Sequence, residues 1–355
     1  MKRIGNLYSK ICDMENLKLA HHNARKGKGW YQEVKMVDED PEKYLGQLQQ
    51  MLLNKTYKTS DYVTFIKHDS GKDREIFKLP YFPDRICQWA ILQVIEPYLI
   101  KNLIKNTYSA IPERGIHLAL HDIDKAIKHD VPGTQYCLKI DARKFYPSIN
   151  HNILKIKYRR LFKDDELLWL LDEIIDSTPG DTGIPIGNYL SQYSGNFYLS
   201  SFDHWIKEVK HIKHYFRYMD DIVILASNKK ELHKLLREIK DYFIKELKLT
   251  VKDNWQVFPT FVRGIDFVGY RTFFNYKLLR KSTCKQMKRK MNRLHKKVIE
   301  NNKTMNYSEW CSINSYKGWL IHCDSYRLHQ KYISPLEPYA EAYYQQQIKK
   351  GGKTK

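Results

Sequence analysis

Between residues 16 and 53 apolar side chains recur at helical spacing among charged ones, which predicts helices with one buried face. Residues 61–79 alternate instead, Tyr62 and Thr64 against Val63 and Phe65, and break at Ser70, Gly71, Lys72 and Asp73. That pattern predicts a β-hairpin. Residues 84–104 read as an amphipathic helix interrupted at Pro97, with Ile86, Trp89, Ala90 and Val94 on one face.

The short apolar run 136–140 predicts a strand that delivers Asp141 at its end, and Ser148, Ile149 and Asn150 introduce a helix. A helix over 164–176, a loop rich in Gly and Pro over 178–185 and a helix over 188–209 follow. Then comes Tyr218-Met219-Asp220-Asp221, set between apolar runs at 214–217 and 222–225, which predicts a hairpin with two carboxylates at its turn. Residues 230–247 are helical by pattern, 250–257 extended, and 264–270 a strand bounded by glycines. Strands and helices mix without a regular βαβ repeat, so the fold class is α+β.

Composition changes this picture in three ways. With 355 residues, 42% of them hydrophobic, the chain can build a sizeable core and two or three subdomains. Its 61 Lys and Arg against 40 Asp and Glu leave a formal +21, which points to a polyanionic partner, nucleic acid first, although a soluble basic protein or one bound to anionic membrane would share it. No apolar core of a signal peptide opens the chain and no run of eighteen apolar residues occurs, so a cytoplasmic protein off the membrane is expected.

The six cysteines show no zinc spacing and are expected to be reduced and structural. His117 and His121, four apart on a predicted helix, have no third ligand in view, which favours a packing or surface role. The stretch from Gln345 onward is low in complexity and expected to fray.

Asp141, Asp220 and Asp221 could meet on one face of a sheet. Three carboxylates suit two Mg²⁺ ions, which take hard oxygen ligands and leave room for phosphate, and that is the chemistry of nucleotidyl transfer. Taken singly, an Asp pair is an ordinary turn former and Asp141 an ordinary helix cap.

In order along the chain, Asp73-Arg74-Glu75-Ile76, Asp141-Ala142-Arg143-Lys144-Phe145-Tyr146, the segment 183–192, Tyr218-Met219-Asp220-Asp221 and the segment 264–270 resemble the successive blocks of reverse transcriptases. The resemblance implies a right-hand polymerase fold: N-terminal helices and fingers over 1–135 with part of 150–190, a palm with an antiparallel sheet over 136–274, a basic helical thumb over 275–345 and a flexible tail over 346–355. Within it, Ile186-Gly187 followed by Ser191-Gln192 is similar to the diversity-generating retroelement branch, where most bacterial reverse transcriptases carry Gln-Gly and Ser-Pro. The segment 279–282 and a late helix containing Trp319 are similar to that branch too. The segment 108–115 is a looser version of its usual block, which weakens any role for Arg114.

That resemblance implies an RNA-directed DNA polymerase that copies a dedicated RNA into cDNA, error-prone at template adenines for mutagenic retrohoming. An antiphage reverse transcriptase of the same fold, or an idle RNA-binding scaffold, are the alternatives. Asp141, Asp220 and Asp221 would hold two Mg²⁺ ions, with Mn²⁺ able to substitute. Lys72 and Arg74 would clamp the triphosphate of a dNTP, with Ala142, Ile186, Gly187 and Gln192 also at the nucleotide. Tyr146 would be the steric gate against a ribose 2′-hydroxyl, and Lys252 the proton donor to pyrophosphate. Phe267, Val268, Gly269 and Tyr270 would form the primer grip.

From Arg271 to Ile299 there are eleven basic residues and no acidic one. Arg280, Lys281, Lys285, Lys288, Arg289 and Arg293 would track the phosphates of the RNA/cDNA duplex, while Met287, Met291, Leu294 and Val298 supply an apolar face. Tyr307, Trp310, Tyr316 and Trp319 are expected to pack the thumb. Implied partners are the template RNA, a small basic accessory protein and a structured noncoding RNA. No RNase H or Cys/His-rich endonuclease module is expected.

Overall fold

Two aspartates set the first helices. In the computed structural model, which describes residues 2–69 and 72–349, the chain opens with α1 (Tyr8–Cys12), α2 (Met14–Ala24), α3 (Gln32–Glu39) and α4 (Pro41–Leu53). The Asp13 carboxylate accepts from the Glu15 amide at 2.7 Å, and Asp40 from the Lys43 amide at 3.2 Å with Pro41 starting the helix. Leu17, Ala20, Val34, Leu45, Leu48 and Leu52 form their buried face.

Strands β1 (Val63–Asp69) and β2 (Lys72–Lys78) pair antiparallel from Val63 opposite Lys78 to Asp69 opposite Lys72. The turn residues Ser70 and Gly71 lie outside the described residues, as does the Lys72 side chain. Helix α5 (Ile86–Lys101) runs through Pro97 without the expected interruption. The helix gives up one hydrogen bond there and is held by burial on several sides, through Ile86, Cys87, Ala90, Ile91, Leu92, Ile95 and Leu99. The single apolar face read from the sequence is therefore incomplete, with Trp89 and Val94 only half-buried.

Next come α6 (Ile116–His129), β3 (Tyr136–Asp141), α7 (Phe145–Ser148), α8 (His151–Leu161), α9 (Asp165–Asp176) and α10 (Tyr189–His204). Asn150 caps α8 and Asp164 caps α9 through the Ile153 and Leu167 amides. One π-helical turn, Trp205–Val209, carries α10 to the end its pattern predicts. Strands β4 (His214–Tyr218) and β5 (Asp221–Ala226) precede α11 (Lys229–Leu247). The extended segment expected over 250–257 reduces to one bridge, Val251 to Ala142, followed by β6 (Gln256–Pro259).

After α12 (Thr260–Arg263), the segment 264–270 is a hairpin of β7 (Ile265–Phe267) and β8 (Tyr270–Thr272) rather than one strand, with β9 (Lys277–Leu279) added. Val268 and Gly269 take φ of 44° and 89°, and two consecutive left-handed residues turn the chain back. Helices α13 (Lys281–His295), α14 (Tyr307–Leu320), α15 (Tyr326–Tyr332) and α16 (Glu337–Lys349) complete the described chain. Residues 346–349, expected in the tail, belong to α16, and 350–355 lie outside the described residues.

Contacts divide the chain into two units, one of Met1–Arg114, Lys139–Ile222 and His233–Trp255, the other of Gly115–Leu138, Val223–Leu232 and Gln256–Lys355. The sheets are β1-β2, β4-β5-β3-β6 and β7-β8-β9, and with helices between them the class is α+β, as expected. In the second unit His117 stacks on His322 at 3.7 Å, a packing role. All six cysteines are free. Among the described residues no helix is long and apolar enough to cross a membrane.

Candidate active site

The site belongs to the first unit. Strand β3 ends on Asp141, and β4 and β5 are joined by Met219 and Asp220, with Met219 at φ 56°. Burial, and then the Asp141 carboxyl beside it, push the Asp220 carboxyl up to about 7. The Asp141 carboxyl stands within hydrogen-bonding range of that of Asp220. Asp141 Oδ1 also accepts from Lys252 Nζ at 2.6 Å, and the Lys252 amide donates to the Asp141 carbonyl at 2.8 Å. Asp221 Oδ2 lies 3.4 Å from Lys139 Nζ.

The expected convergence is thus partial. Asp141 and Asp220 form a pair, while Asp221 is turned to Lys139, and among the described residues no three His, Cys, Asp or Glu groups gather as a ready metal cluster. Like charges spread apart where lysines can take one of them. Lys139 escaped the sequence reading, yet it stands two residues before Asp141 on a strand and so on the same face.

Around the pair, the Tyr146 phenol donates to Met219 Sδ at 3.4 Å. Burial and then Asp220 raise its pKa, while the Arg74 charge opposes the rise. Ala142 is buried under the bridge to Val251. Gly187 has φ 120°, and a Cβ there would come within 3.3 Å of Ile76 Cγ2 and of the Phe77 carbonyl, so glycine is required on two counts. Next to it the Ile186 carbonyl accepts from the Phe77 amide at 3.0 Å. Gln192 is exposed in the first turn of α10.

A cavity of about 220 Å³ adjoins Gly187 and is lined by Lys28, Tyr31, Arg85, Gln88, Trp89 and Asn188 among others. Arg85 Nε, Gln88 Nε2, Trp89 Nε1 and Asn188 Nδ2 are buried donors with no partner among the described residues. Trp89 stacks on Tyr189 at 4.5 Å. Burial lowers the Arg85 pKa, and burial and then Arg85 lower that of Lys28. Neither residue carried a signal in the sequence beyond its charge.

In the second unit, Phe267, Val268, Gly269 and Tyr270 make the β7–β8 turn. The Tyr270 phenol donates to the Trp319 carbonyl at 3.0 Å, and the Gly269 Cα faces the Trp319 ring so closely that no Cβ fits. Met287, Met291, Leu294 and Val298 are buried, and Lys281, Lys285, Arg289 and Arg293 are exposed along α13. Two of these basic residues also have partners within the chain: Arg280 Nε donates to Asp266 at 2.5 Å, and Lys288 Nζ lies 5.6 Å from the Tyr332 ring centre.

Residues 66–272 match the family described as reverse transcriptase (RNA-dependent DNA polymerase). Protein YkfC of Escherichia coli (strain K12) is 23% identical over 249 residues, a match spanning 58% of this chain and 65% of that one. Among solved structures, telomerase from Candida albicans in complex with a TWJ fragment of telomeric RNA gives a TM-score of 0.49 at 12% identity, covering 71% of this chain and 55% of that one. Apo telomerase from Candida tropicalis gives 0.45 at 13% identity, covering 63% and 47%. The chain therefore spans just under two thirds of its curated relative and about half of each telomerase. With more than half of its length in that match, the chain belongs to the reverse transcriptase (RNA-dependent DNA polymerase) family and takes the right-hand polymerase fold.

Proposed function

We propose that the chain is an RNA-directed DNA polymerase that lengthens a primer along an RNA template, with residues 1–135 as N-terminal helices and fingers, 136–274 as palm and 275–345 as thumb. The observation that carries this reading is the facing pair of Asp141 and Asp220, with Asp221 the next residue along. Two facing, half-buried carboxyl groups offer the hard oxygens a divalent cation takes. Asp141, Asp220 and Asp221 would hold Mg²⁺, with Mn²⁺ as substitute, and the bound ions would activate the primer 3′-hydroxyl and offset charge on the triphosphate.

The chain's own groups do the rest. Lys252, at 2.6 Å from Asp141, holds a proton within reach of the departing pyrophosphate. Arg74 clamps the triphosphate, a role for which guanidinium is suited. Tyr146, held against Met219, stands as a wall against a ribose 2′-hydroxyl. The aromatic cavity beside Gly187, with its four unpartnered buried donors, suits a nucleotide of the template strand, whose base stacks and whose oxygens accept.

We assign the enzyme to the mutagenic, diversity-generating branch, with a small basic accessory protein and a structured noncoding RNA as partners. The support is Ile186, which presents hydrocarbon where glutamine would offer hydrogen bonds. Primer extension on RNA with Mg²⁺ tests the activity: the parent extends and Asp220→Ala does not, and equal extension by both would overturn the reading. Ile186→Gln should copy adenines more faithfully. An unchanged error spectrum would remove the branch and favour an antiphage role, leaving the polymerase in place.

A further inference from the structure

Arg217, two residues before the turn at Met219 and Asp220, is fully buried, as is Asp203 of α10. Arg217 Nε donates to Asp203 Oδ1 at 2.7 Å and Nη2 to Oδ2 at 2.5 Å, a two-pronged pair. Its Nη1 donates to Asn196 Oδ1 at 3.1 Å and to the Met219 carbonyl at 2.9 Å, and Nη2 also reaches the Asn196 carbonyl at 3.3 Å. Every N–H of the guanidinium is thereby used. Asp203 accepts further from the Tyr215 phenol at 2.5 Å, and the Asn196 amide donates to the Ser109 carbonyl at 2.6 Å. The guanidinium has one pose.

Stability alone does not account for this cluster, because a buried ion pair is often matched by apolar side chains of the same volume. What an apolar replacement could not supply is the N–H aimed at Met219. That carbonyl belongs to the peptide linking Met219 to Asp220, and Met219 is a non-glycine residue at φ 56°, a conformation that needs outside support. A rotation of this peptide would swing the Asp220 carboxyl away from Asp141. The Tyr146 phenol also meets this turn, donating to Met219 Sδ.

We propose that Arg217 is a positioning residue for nucleotidyl transfer: through the Met219 carbonyl it sets the peptide ahead of Asp220 so that the carboxyl faces Asp141, and Asp203 and Asn196 aim the guanidinium. The proposal rests on the polymerase reading. Its test uses two variants of the full chain. Arg217→Lys keeps the charge opposite Asp203 but lacks the fork, and Asn196→Ser loosens the guanidinium while leaving the ion pair in place.

For each variant the readouts are the folded fraction, Mn²⁺ affinity, primer-template Kd, and the burst amplitude and rate constant of single-nucleotide extension. Both variants should lose about 10- to 100-fold in Mn²⁺ affinity and in rate constant, the range seen when a partner behind a metal ligand is removed. Primer-template Kd should stay at the parent value and burst amplitude should follow the folded fraction. A structural role alone would instead lower burst amplitude and leave the rate constant of the remaining molecules intact, and that result overturns the proposal. If Arg217→Lys fails to fold, Asn196→Ser decides by the same criteria. A parent chain that extends no primer overturns the polymerase reading, while the Mn²⁺ affinities still decide whether Arg217 places Asp220.

Discussion

Replacing Asp220 by asparagine should abolish extension and yet make the protein more stable above neutral pH in metal-free buffer. The carboxyl is raised from 3.8 to about 7 by burial and by its neighbour Asp141. Between those values the folded protein binds more protons than the unfolded chain, so stability falls as pH rises through the window. Below it the penalty is absent; above pH 7 it is complete. Roughly three pH units at about 1.4 kcal/mol each give a ceiling of about 4 kcal/mol. Sharing of the repulsion with Asp141 and the relief from Lys252 bring the expectation to about 2 kcal/mol, or about 3 °C in Tm.

The assay is thermal unfolding of parent and Asp220→Asn from pH 5 to 8.5 in EDTA, followed by the same melts in Mg²⁺. Asparagine keeps the shape and removes the charge, so the variant should gain on the parent steadily from pH 5 to about pH 7 and hold a constant lead above that. Adding Mg²⁺ should raise the parent melting temperature and leave the variant where it was. Coincident melting temperatures at pH 8 in EDTA would refute the reasoning that like charge is stored at this turn.

Lys157, whose pKa burial lowers from 10.5 to about 8, donates to Ser201 Oγ at 2.6 Å away from the site. The folded state binds fewer protons than the unfolded one between those values, so Lys157→Met should stabilise by about 1–2 kcal/mol at pH 7 and lose its advantage as pH rises through 8 toward 10.5, readable in urea melts. Tyr146→Ala should raise incorporation of ribonucleotides about 10- to 100-fold relative to deoxyribonucleotides, measured by competition in primer extension. Changing the exposed Lys281, Lys285 and Arg289 together to alanine should reduce the slope of log affinity for an RNA/DNA duplex against log salt by about two to three, near one per lost phosphate contact. An unchanged slope would take α13 out of the duplex path.

The hairpin carrying Asp220 and Asp221 and the end of β3 were legible because charge at a turn between apolar runs is a local pattern. The helix starts at Asn150 and Asp164 and the apolar face of α13 were legible for the same reason, whereas the caps at Asp13 and Asp40 were not read. What escaped depended on partners far along the chain. Arg217 and Asp203 are fourteen residues apart and unremarkable until the fold closes over them. The partner of Arg280, Asp266, went unseen because it lies outside the acid-free run. Pro97 was read as a break because propensity says so, and burial of the surrounding helix overrides propensity. The hairpin at 264–270 was missed because Val268 is a β-branched residue that adopts a positive φ.

The hydrogen bond from the Phe77 amide to the Ile186 carbonyl has a bearing on how such a protein diversifies. It uses main-chain atoms at both ends, and the adjacent Gly187 keeps the two segments in register through its backbone shape. Any side chain at 186 is therefore delivered to the same spot, so its chemistry can be exchanged without rebuilding what holds it. If copying accuracy depends on that side chain, accuracy is a trait this scaffold can gain or lose in a single codon.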